Sequence, residues 1–421
     1  MQLKNKFPNV PVILPPKNQI LDGYKLMVHK WSYPEGRIGE TVTIDGKKIK
    51  KLLTMDINIP REDFAEKVNA GGTSEERGSV FEENYPCPHK CPGCFNNAEL
   101  NNPIMTLDEV INVVEQGIEL GLESLKFLGP GELLANPDLF KILDYLAARD
   151  IVLGIFTKGA IMGNDMLSQR YHGIDSQELV SRLVGYTNIT FLIGGRSFDP
   201  DLENGRNIPQ NKKEVIQHFD YHLARNIAIE RLCRVGVNSD FSKQRMAIMA
   251  NPVTAQTLPG AFEIYRWGAE RNMSPYILPT MVSGKGHKLV RSASETKFED
   301  DYIDLAVQIY VWAIGRGVMT LEQLEHEGVH PYIGVAPCNQ LTHGLYIHYD
   351  GAVWRCPGND TPDFVVHPNV REKSLREIWV NSVNYRINLF TNRCVKDGVS
   401  LPRRFYTEVP EKVRRQLVER Q

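Results

Sequence analysis

Three cysteines stand close together in the segment Cys87-Pro-His-Lys-Cys91-Pro-Gly-Cys94-Phe95. The prolines and the glycine within this segment exclude a helix, so we expect a loop. A loop can bring three thiolates onto three irons of a 4Fe-4S cube and leave the fourth iron without a protein ligand. An iron of that kind is open to substrate, so the spacing indicates a catalytic iron-sulfur cluster.

A zinc knuckle is the alternative for the same cysteines. Zinc sites usually combine paired Cys-x2-Cys units with a fourth Cys or His at short range. The histidine inside this loop, His89, is poorly placed for that role. The spacing therefore favours an iron-sulfur cluster over zinc.

A glycine-rich turn, Gly129-Pro130-Gly131-Glu132, follows a short apolar run. Glycines let the backbone approach a ligand closely, and a glutamate carboxylate accepts hydrogen bonds from an ammonium group such as that of methionine. By itself, Gly-Pro-Gly is more often a plain turn. Its position one βα unit after the cysteine loop favours a ligand-binding role.

The cysteine spacing and this turn together resemble the radical S-adenosylmethionine (radical SAM) superfamily. Its signature is Cys-x3-Cys-x2-Cys with an aromatic neighbour, here Phe95, and its Gly-Gly-Glu-Pro motif is similar to the turn, although Pro130 replaces a glycine and Leu133 the proline. The resemblance implies that a 4Fe-4S cluster on the three cysteines binds SAM and cleaves it to methionine and a 5′-deoxyadenosyl radical. It also implies that Gly129, Gly131 and Glu132 hold the amino group of SAM.

Further SAM contacts follow from the same resemblance, each with a structural alternative. Thr157 opens a Thr-Lys-Gly turn that resembles a Thr-Asn-Gly turn of the family, or it simply ends a strand. Arg196 and Ser197 are candidates for the ribose or carboxylate of SAM, and Asn251 either reaches the ribose or caps the next helix. The glycine-rich loop 283–287 lacks the ending of a phosphate-binding loop, and we expect it to be solvated.

A second group of cysteines occurs towards the C-terminus. Cys338 is followed by Gly351 and, after four intervening residues, by Cys356, which ends a predicted hairpin that turns at Asp350-Gly351. This resembles the start of the SPASM extension of radical SAM enzymes, Cys-x9-15-Gly-x4-Cys. The dense cysteine run that completes SPASM is missing, and only Cys394 follows.

The shortened extension resembles the twitch variant, which holds one auxiliary 4Fe-4S cluster. The resemblance implies Cys338, Cys356 and Cys394 as ligands, with His343 and Asp360 as candidates for a fourth. The alternative is three unrelated buried cysteines, a common location for this residue type.

Composition describes an ordinary globular protein. The chain has 421 residues, of which 42% are hydrophobic, enough for two or three domains with a sizeable core. A net charge of -2 gives no argument for nucleic acid or an acidic membrane surface, and we expect no signal peptide or membrane span. Seven cysteines in an odd, clustered arrangement, with Cys233 interpreted as structural, favour a reducing compartment and predict a cytoplasmic protein.

Between residues 79 and 285, short apolar runs alternate with longer amphipathic stretches, which is the βα pattern of a parallel sheet. Apolar runs near 79–83, 124–128, 151–156, 188–193, 246–249 and 276–281 predict six parallel strands, and a capping box at Thr106 and Glu109 opens the best-marked helix. We therefore predict an α/β fold with a partial (β/α)6 TIM-like barrel, which the resemblance also implies. Active-site residues usually lie at the carboxyl ends of such strands, which form one rim of the barrel. The cysteine loop is predicted to lie on that rim.

Three domains are expected. Residues 1–78 form a small β-containing extension with a hairpin turn at Asp45-Gly46, residues 79–285 form the barrel, and residues 286–421 form an α+β region that carries the auxiliary cluster. Helical runs are predicted at 300–314 and 375–380, with a solvated helix at 411–421.

The resulting prediction is a radical SAM enzyme, an oxidoreductase or isomerase, that abstracts hydrogen from a small molecule and leads to oxidation, epimerisation or rearrangement. The small molecule is favoured over a peptide because the first 78 residues lack three clear helices and the SPASM run is short. The alternatives are a ribosomal-peptide maturase and a non-enzymatic iron-sulfur or zinc-binding protein. An electron donor such as flavodoxin or ferredoxin is expected, and no catalytic side chain is assigned.

Overall fold

The computed structural model describes residues 6–13, 27–28, 37–84, 94–95, 102–129, 131–206, 220–287, 296–333, 340–361, 364–388 and 401–419. Its strands are β1 Thr41–Ile44, β2 Lys47–Lys50, β3 Thr54–Ile57, β4 Ser124–Phe127, β5 Val152–Thr157, β6 Ile189–Gly195, β7 Met246–Ala250, β8 Ser274–Ile277, β9 Gly344–Ile347, β10 Ala352–Trp354 and β11 Val365–Asn369. Its helices are α1 Glu62–Asn69, α2 Ser74–Asn84, α3 Leu107–Glu119, α4 Leu139–Ala147, α5 Ala160–Gly163, α6 Asp165–His172, α7 Ser176–Gly185, α8 Pro200–Arg206, α9 Tyr221–Arg234, α10 Leu258–Ala269, α11 Thr296–Gly315, α12 Leu321–Glu327, α13 Gln340–His343, α14 Leu375–Asn381, α15 Val383–Arg386 and α16 Phe405–Val418.

A nine-stranded sheet runs through the described structure in the order β11-β10-β9-β3-β4-β5-β6-β7-β8. Strands β3 to β8 are parallel throughout and alternate with helices, which confirms the predicted partial barrel. Strand β9 joins β3 in parallel, and β10 and β11 continue the sheet in antiparallel fashion. The antiparallel pair β9 and β10 is the predicted hairpin around Gly351.

One of the six predicted strands is wrong. Residues 79–83 belong to helix α2, which begins at a capping box. The hydroxyl of Thr73 accepts from the Glu76 amide at 3.1 Å, and the Glu76 carboxylate accepts from the Thr73 amide at 2.9 Å. The first strand of the parallel run is β3 instead.

Strand β3 places residues of the predicted N-terminal extension in the main sheet. Met55 and Ile57 pack in the main core, and Asp56 pairs with Lys126 of β4 at 2.8 Å on the other face. The hairpin β1–β2 is a separate two-stranded sheet whose turn residues Asp45 and Gly46 have φ of 50° and 73°, as predicted. The division of the chain at residues 78 and 285 stays a prediction.

The cysteine segment does not follow a strand at 79–83, contrary to the prediction, because those residues are helical. In chain order it falls between α2 and α3, in the crossover that links β3 to β4. The first strand of the parallel run therefore precedes it, with α1 and α2 in between. Cys94 and Phe95 are described, whereas Cys87 and Cys91 lie outside the described residues.

Helices cover one face of the sheet and enclose the main hydrophobic core with it. The other face surrounds the barrel interior, where Met27 and Val28 pack against Val152, Leu192 and Ala247. The Met27 amide donates to the carbonyl of Gln244, which precedes β7. Met27 and Val28 thus lie inside the barrel towards its amino end.

The C-terminal helices agree largely with expectation. Helices α11 and α14 cover the predicted helical runs. The last helix, α16, is more deeply packed than predicted, because Phe405, Val409 and Val413 are buried. In the part of the chain that the structure describes, no helix combines the length and the apolar composition needed to cross a membrane.

Candidate functional site

Two of the predicted turns meet at Glu132. Its Oε2 accepts from the Lys158 amide at 2.9 Å and its Oε1 from the Leu134 amide at 3.4 Å. The Thr157 side chain adds a further hydrogen bond to this carboxylate. The turns after β4 and β5 therefore form one unit, which we call the Glu132 corner (residues 131–134 and 157–159).

The Glu132 carboxylate is 7% exposed. Burial raises the pKa of Glu132, and the hydrogen bonds from Lys158 and Thr157 oppose that rise. Among the described residues, no arginine or lysine forms a direct ion pair with it, and the Lys158 charge acts only at longer range. The carboxylate is therefore desolvated and retains capacity for a cationic donor.

Asn58, which directly follows β3, holds the glycine turn in place. Its side-chain amide donates to the carbonyls of Leu128 at 2.6 Å and Gly129 at 2.7 Å, and its oxygen accepts from the Tyr346 hydroxyl at 2.9 Å. Gly129 has φ of 63° and Gly131 of 100°, values that favour glycine. Neither Asn58 nor Tyr346 has a local sequence signal, because their contact joins residues far apart in the chain.

Arg196 and Ser197 lie at the end of β6 around a second buried carboxylate. Their amides both donate to Oε2 of Glu203 at 2.7 Å. The Ser197 hydroxyl accepts from the Asp199 amide at 3.0 Å, and the Arg196 guanidinium donates to the Leu202 carbonyl at 3.0 Å. Both predicted side chains therefore take part in local contacts of this turn.

Arg225 completes this arrangement from helix α9. It is 1% exposed, its Nη1 lies 3.9 Å from Oε2 of Glu203, and it donates to the Ser197 carbonyl at 2.9 Å. We call Gly195, Arg196, Ser197, Glu203 and Arg225 the Glu203 corner. Its charged pair was missed from the sequence because an Arg and a Glu on two helices carry no local signal that they are buried together.

Asn251 directly follows β7 at the same rim. Its amide donates to the Gly195 carbonyl at 2.9 Å, which ties it to the Glu203 corner. The next helix, α10, begins after Thr257 and has no side-chain cap. The helix-capping alternative for Asn251 is therefore wrong.

Cys94 lies beside the loop that follows β8. The Cys94 carbonyl accepts from the Lys285 amide at 2.9 Å, and the neighbouring Phe95 ring packs with Leu128, Tyr346 and Trp354. Leu128 immediately precedes Gly129, so this packing brings the end of the cysteine loop next to the glycine turn. The expectation that loop 283–287 is solvated is wrong, since Ser283 is buried and the loop contacts two other segments.

Cys356 is the described member of the second cysteine group, and Cys338 and Cys394 lie outside the described residues. Its Sγ accepts a hydrogen bond from the Gly358 amide at 3.3 Å, an interaction that also occurs at the sulfurs of iron-sulfur clusters. The Asn384 side chain donates to the carbonyls of Gly344 at 2.9 Å and Arg355 at 3.2 Å. Asn384 thereby joins the two strands of the hairpin to the segment that leads to Cys394.

The two candidates for a fourth ligand differ. Both Asp360 oxygens are engaged, one with His287 and one with the Gly284 amide. His343 is fully buried, and its Nε2 has no hydrogen-bond partner among the described residues. Burial and the nearby Lys50 lower the pKa of His343 to about 4, so this imidazole is neutral.

The donor chemistry fits the expected cofactors. A cysteine and a desolvated carboxylate lie along one rim, which suits an iron-sulfur cluster beside an ammonium group. Cys233 differs in kind, because burial raises the pKa of its thiol to about 12 and keeps it protonated.

Comparison with known proteins agrees with this chemistry. Residues 86–243 match the model of the radical SAM superfamily, and residues 338–399 match the SPASM model, an iron-sulfur cluster-binding domain. The chain therefore contains a radical SAM domain followed by a SPASM domain. The radical SAM match implies a 4Fe-4S cluster and SAM, and the SPASM match implies further iron-sulfur binding in the C-terminal region.

Two solved structures of radical SAM type are similar to the chain. SuiB of Streptococcus suis bound to the precursor peptide SuiA shares 14% identity over 79% of this chain and 66% of SuiB, with a TM-score of 0.46. The enzyme anSMEcpe with bound AdoMet and Cp18Cys peptide shares 14% identity over 87% of this chain and 97% of anSMEcpe, with a TM-score of 0.47. The chain thus spans just under two thirds of SuiB. None of the curated proteins compared with the chain matches it.

Proposed function

We propose that this chain is an enzyme that binds SAM at the carboxyl rim of the barrel and removes a hydrogen atom from a substrate held in the barrel mouth. The observation that carries the proposal is Glu132. Its carboxylate is buried, lies next to the end of the cysteine loop through Leu128, and makes no direct ion pair with a described side chain. A carboxylate in this state suits the ammonium of a methionine moiety.

Cys87, Cys91 and Cys94 would hold the cluster. When bound, the cluster supplies the electron that cleaves SAM and so provides the radical that abstracts hydrogen. Glu132 accepts from the SAM ammonium, and the adjoining Gly131 backbone leaves room for close approach. The protein thus positions the reactants, while the cofactors supply the chemistry.

The remaining predicted SAM contacts fall into two groups, one in the Glu132 corner and one on the neighbouring part of the rim. Thr157 belongs to the Glu132 corner and orients that carboxylate. Arg196, Ser197 and Asn251 belong to the rim next to it, and we assign them to the ribose side of SAM. The Ser197 hydroxyl accepts from the Asp199 amide, so its proton can be donated to SAM.

For the second cysteine group we propose an auxiliary 4Fe-4S cluster on Cys338, Cys356 and Cys394. The hydrogen bond from the Gly358 amide to the Cys356 sulfur supports it. An electron donor of the flavodoxin or ferredoxin type and a cytoplasmic location remain predictions.

We propose a peptide as the substrate, in place of the small molecule favoured from the sequence. The preference for a small molecule depended partly on the interpretation that the SPASM region is shortened. The SPASM model matches residues 338–399, which weakens that argument. The two similar structures were solved with peptides, but likenesses with TM-scores of 0.46 and 0.47 add no weight here. A deuterated cell extract, separated into peptide and small-molecule fractions, tests the proposal: deuterium should enter 5′-deoxyadenosine from the peptide fraction. Transfer only from the small-molecule fraction would restore the earlier preference.

The enzymatic proposal is tested with a variant in which Cys87, Cys91 and Cys94 are all alanine. After anaerobic reconstitution, this variant should lose about four irons per chain and form no 5′-deoxyadenosine from SAM and a reductant. Cys233→Ala is the matched control and should retain both. Continued formation of 5′-deoxyadenosine by the triple variant would contradict the proposal.

A further inference from the structure

The loop after β8 touches both cysteine regions. We call residues 282–287 the bridging loop and residues 356–360 the Cys356 segment. The Lys285 amide donates to the Cys94 carbonyl at 2.9 Å, and the Val282 amide donates to the Gly358 carbonyl at 3.0 Å. A short stretch of backbone thus contacts the first cysteine loop and the second.

Side chains strengthen the contact between the bridging loop and the Cys356 segment. The Ser283 hydroxyl donates to the Pro357 carbonyl at 2.9 Å. Asp360 accepts from the Gly284 amide at 3.1 Å through one oxygen and lies 2.5 Å from His287 Nε2 through the other. The loop is therefore held at several points along its length.

The backbone of the bridging loop has a specific conformation. Gly284 has φ of 52°. A Cβ atom at Gly286 would lie 2.0 Å from the Met281 carbonyl oxygen, a clash with backbone that cannot be relieved by a rotamer change. Ser283 and Asn359 are 1% and 3% exposed, so the contact is packed as well as hydrogen-bonded. A loop this constrained can transmit position from one segment to the other.

We propose that the bridging loop fixes the position of the Cys356 segment relative to Cys94, with Asp360 as a positioning residue and not a cluster ligand. The spacing of two redox centres governs how readily electrons pass between them, and groups around metal ligands set ligand position. The proposal rests on the proposed function only in that both cysteine groups hold clusters. The mechanical link itself is independent of it.

Hydrogen exchange on the full-length reconstituted protein, without SAM or substrate, tests the link. In Asp360→Ala, amides of both the bridging loop and the Cys356 segment should exchange roughly tenfold faster or more, because a charge-assisted contact is lost from each. Gly286→Ala should accelerate exchange in the same two segments. Gly260→Ala is the matched control: that helical glycine has open space around it, so neither segment should change.

Asp360→Asn keeps the side-chain shape and an acceptor oxygen, so its exchange should lie nearer to wild type than that of Asp360→Ala. If Asp360→Ala fails to fold, Asp360→Asn serves as the test variant in its place.

Electron paramagnetic resonance of the reduced holoenzyme should show a changed auxiliary-cluster signal in Asp360→Ala at unchanged iron content. Faster exchange in the bridging loop alone would overturn the link, and loss of iron equal to that of Cys356→Ala would make Asp360 a ligand. A wild-type protein that cleaves no SAM would contradict the proposed function and leave the exchange result intact.

Discussion

Two buried carboxylates, Glu132 and Glu203, lie on the same rim and are held differently. Each accepts from backbone amides of a neighbouring turn: Lys158 for Glu132, and Arg196 and Ser197 for Glu203. Glu203 also has Arg225 at 3.9 Å, both side chains fully enclosed. The described structure gives Glu132 no direct cationic partner.

The difference separates a structural carboxylate from a ligand-binding one. A buried charge is tolerated when an opposite charge and hydrogen bonds compensate for lost hydration. Glu203 has that compensation within the protein, through Arg225 and two backbone amides at Oε2. Glu132 has only part of it, and the missing positive charge is the one that we assign to SAM.

The largest effect is expected when the positive charge beside buried Glu203 is removed. Arg225→Met should lower the free energy of unfolding by about 3 to 5 kcal/mol, because it leaves a buried charge unpaired. Chemical denaturation measures the loss. The control is Arg414→Met at an exposed pair with Glu325, where the loss should stay below about 1 kcal/mol. Equal losses in the two variants would show that the Glu203 corner is not the structural one.

Glu132→Gln tests the other side of the comparison. It removes the charge at nearly constant shape, so SAM should bind roughly 10- to 100-fold more weakly, as expected for a charge-assisted hydrogen bond of about 1.5 to 3 kcal/mol. Calorimetry with SAM measures the change. Glu203→Gln, the matched variant, should lose stability but weaken SAM binding less than Glu132→Gln does, because Glu203 acts only through the backbone of Arg196 and Ser197. Unchanged SAM affinity in Glu132→Gln would show that Glu132 does not bind the SAM ammonium.

The pH dependence of SAM binding sharpens the same contrast. Burial raises the pKa of Glu132 in the folded protein above its ordinary value of 4.5. The contribution of this group to stability is therefore present below that ordinary value and is lost as the pH rises through the folded pKa. SAM needs the charged form, so its affinity should fall as the pH drops through the folded pKa. Titrations of wild type and Glu132→Gln should differ in this respect, and parallel curves would contradict the assignment.

The smallest expected effect compares two adjacent glycines of β6. A Cβ at Gly195 would lie 2.4 Å from Arg225 Nη1, whereas one at Gly194 would meet its nearest neighbour, Met249, at 3.6 Å. Gly195→Ala should therefore cost about 1 kcal/mol of stability, since it displaces a packed guanidinium. Gly194→Ala should be close to neutral in thermal unfolding. A larger loss for Gly194→Ala would mean that the Glu203 corner tolerates movement of Arg225.

Local signals in the sequence were sufficient for much of the barrel. Five strands, the capped helix α3 and the hairpin at Gly351 follow from patterns within a few residues. The failure at residues 79–83 has a local cause as well: Thr73 and Glu76 form a capping box at the start of α2, and this signal was overlooked. Strand β3 was missed because Asp56 is unusual in a strand and depends on Lys126, far away in the chain.

The candidate site divides in the same way. Motif residues such as Glu132 and Cys94 could be named from spacing, but their partners could not. Glu203 and Arg225 belong to separate helices, and their pairing arises only when α8 and α9 pack at the end of β6. The contact of Asp360 with His287 has no local signal either, because the two residues are 73 positions apart in the chain.

Met27 and Val28 pack inside the barrel towards its amino end, against Val152, Leu192 and Ala247. A reactant held in the barrel mouth, as we propose, would then approach and leave from the carboxyl rim, past the turns that surround it. If two reactants share that route, the one bound deeper enters first and leaves last. Release of the outer molecule would then limit the turnover rate.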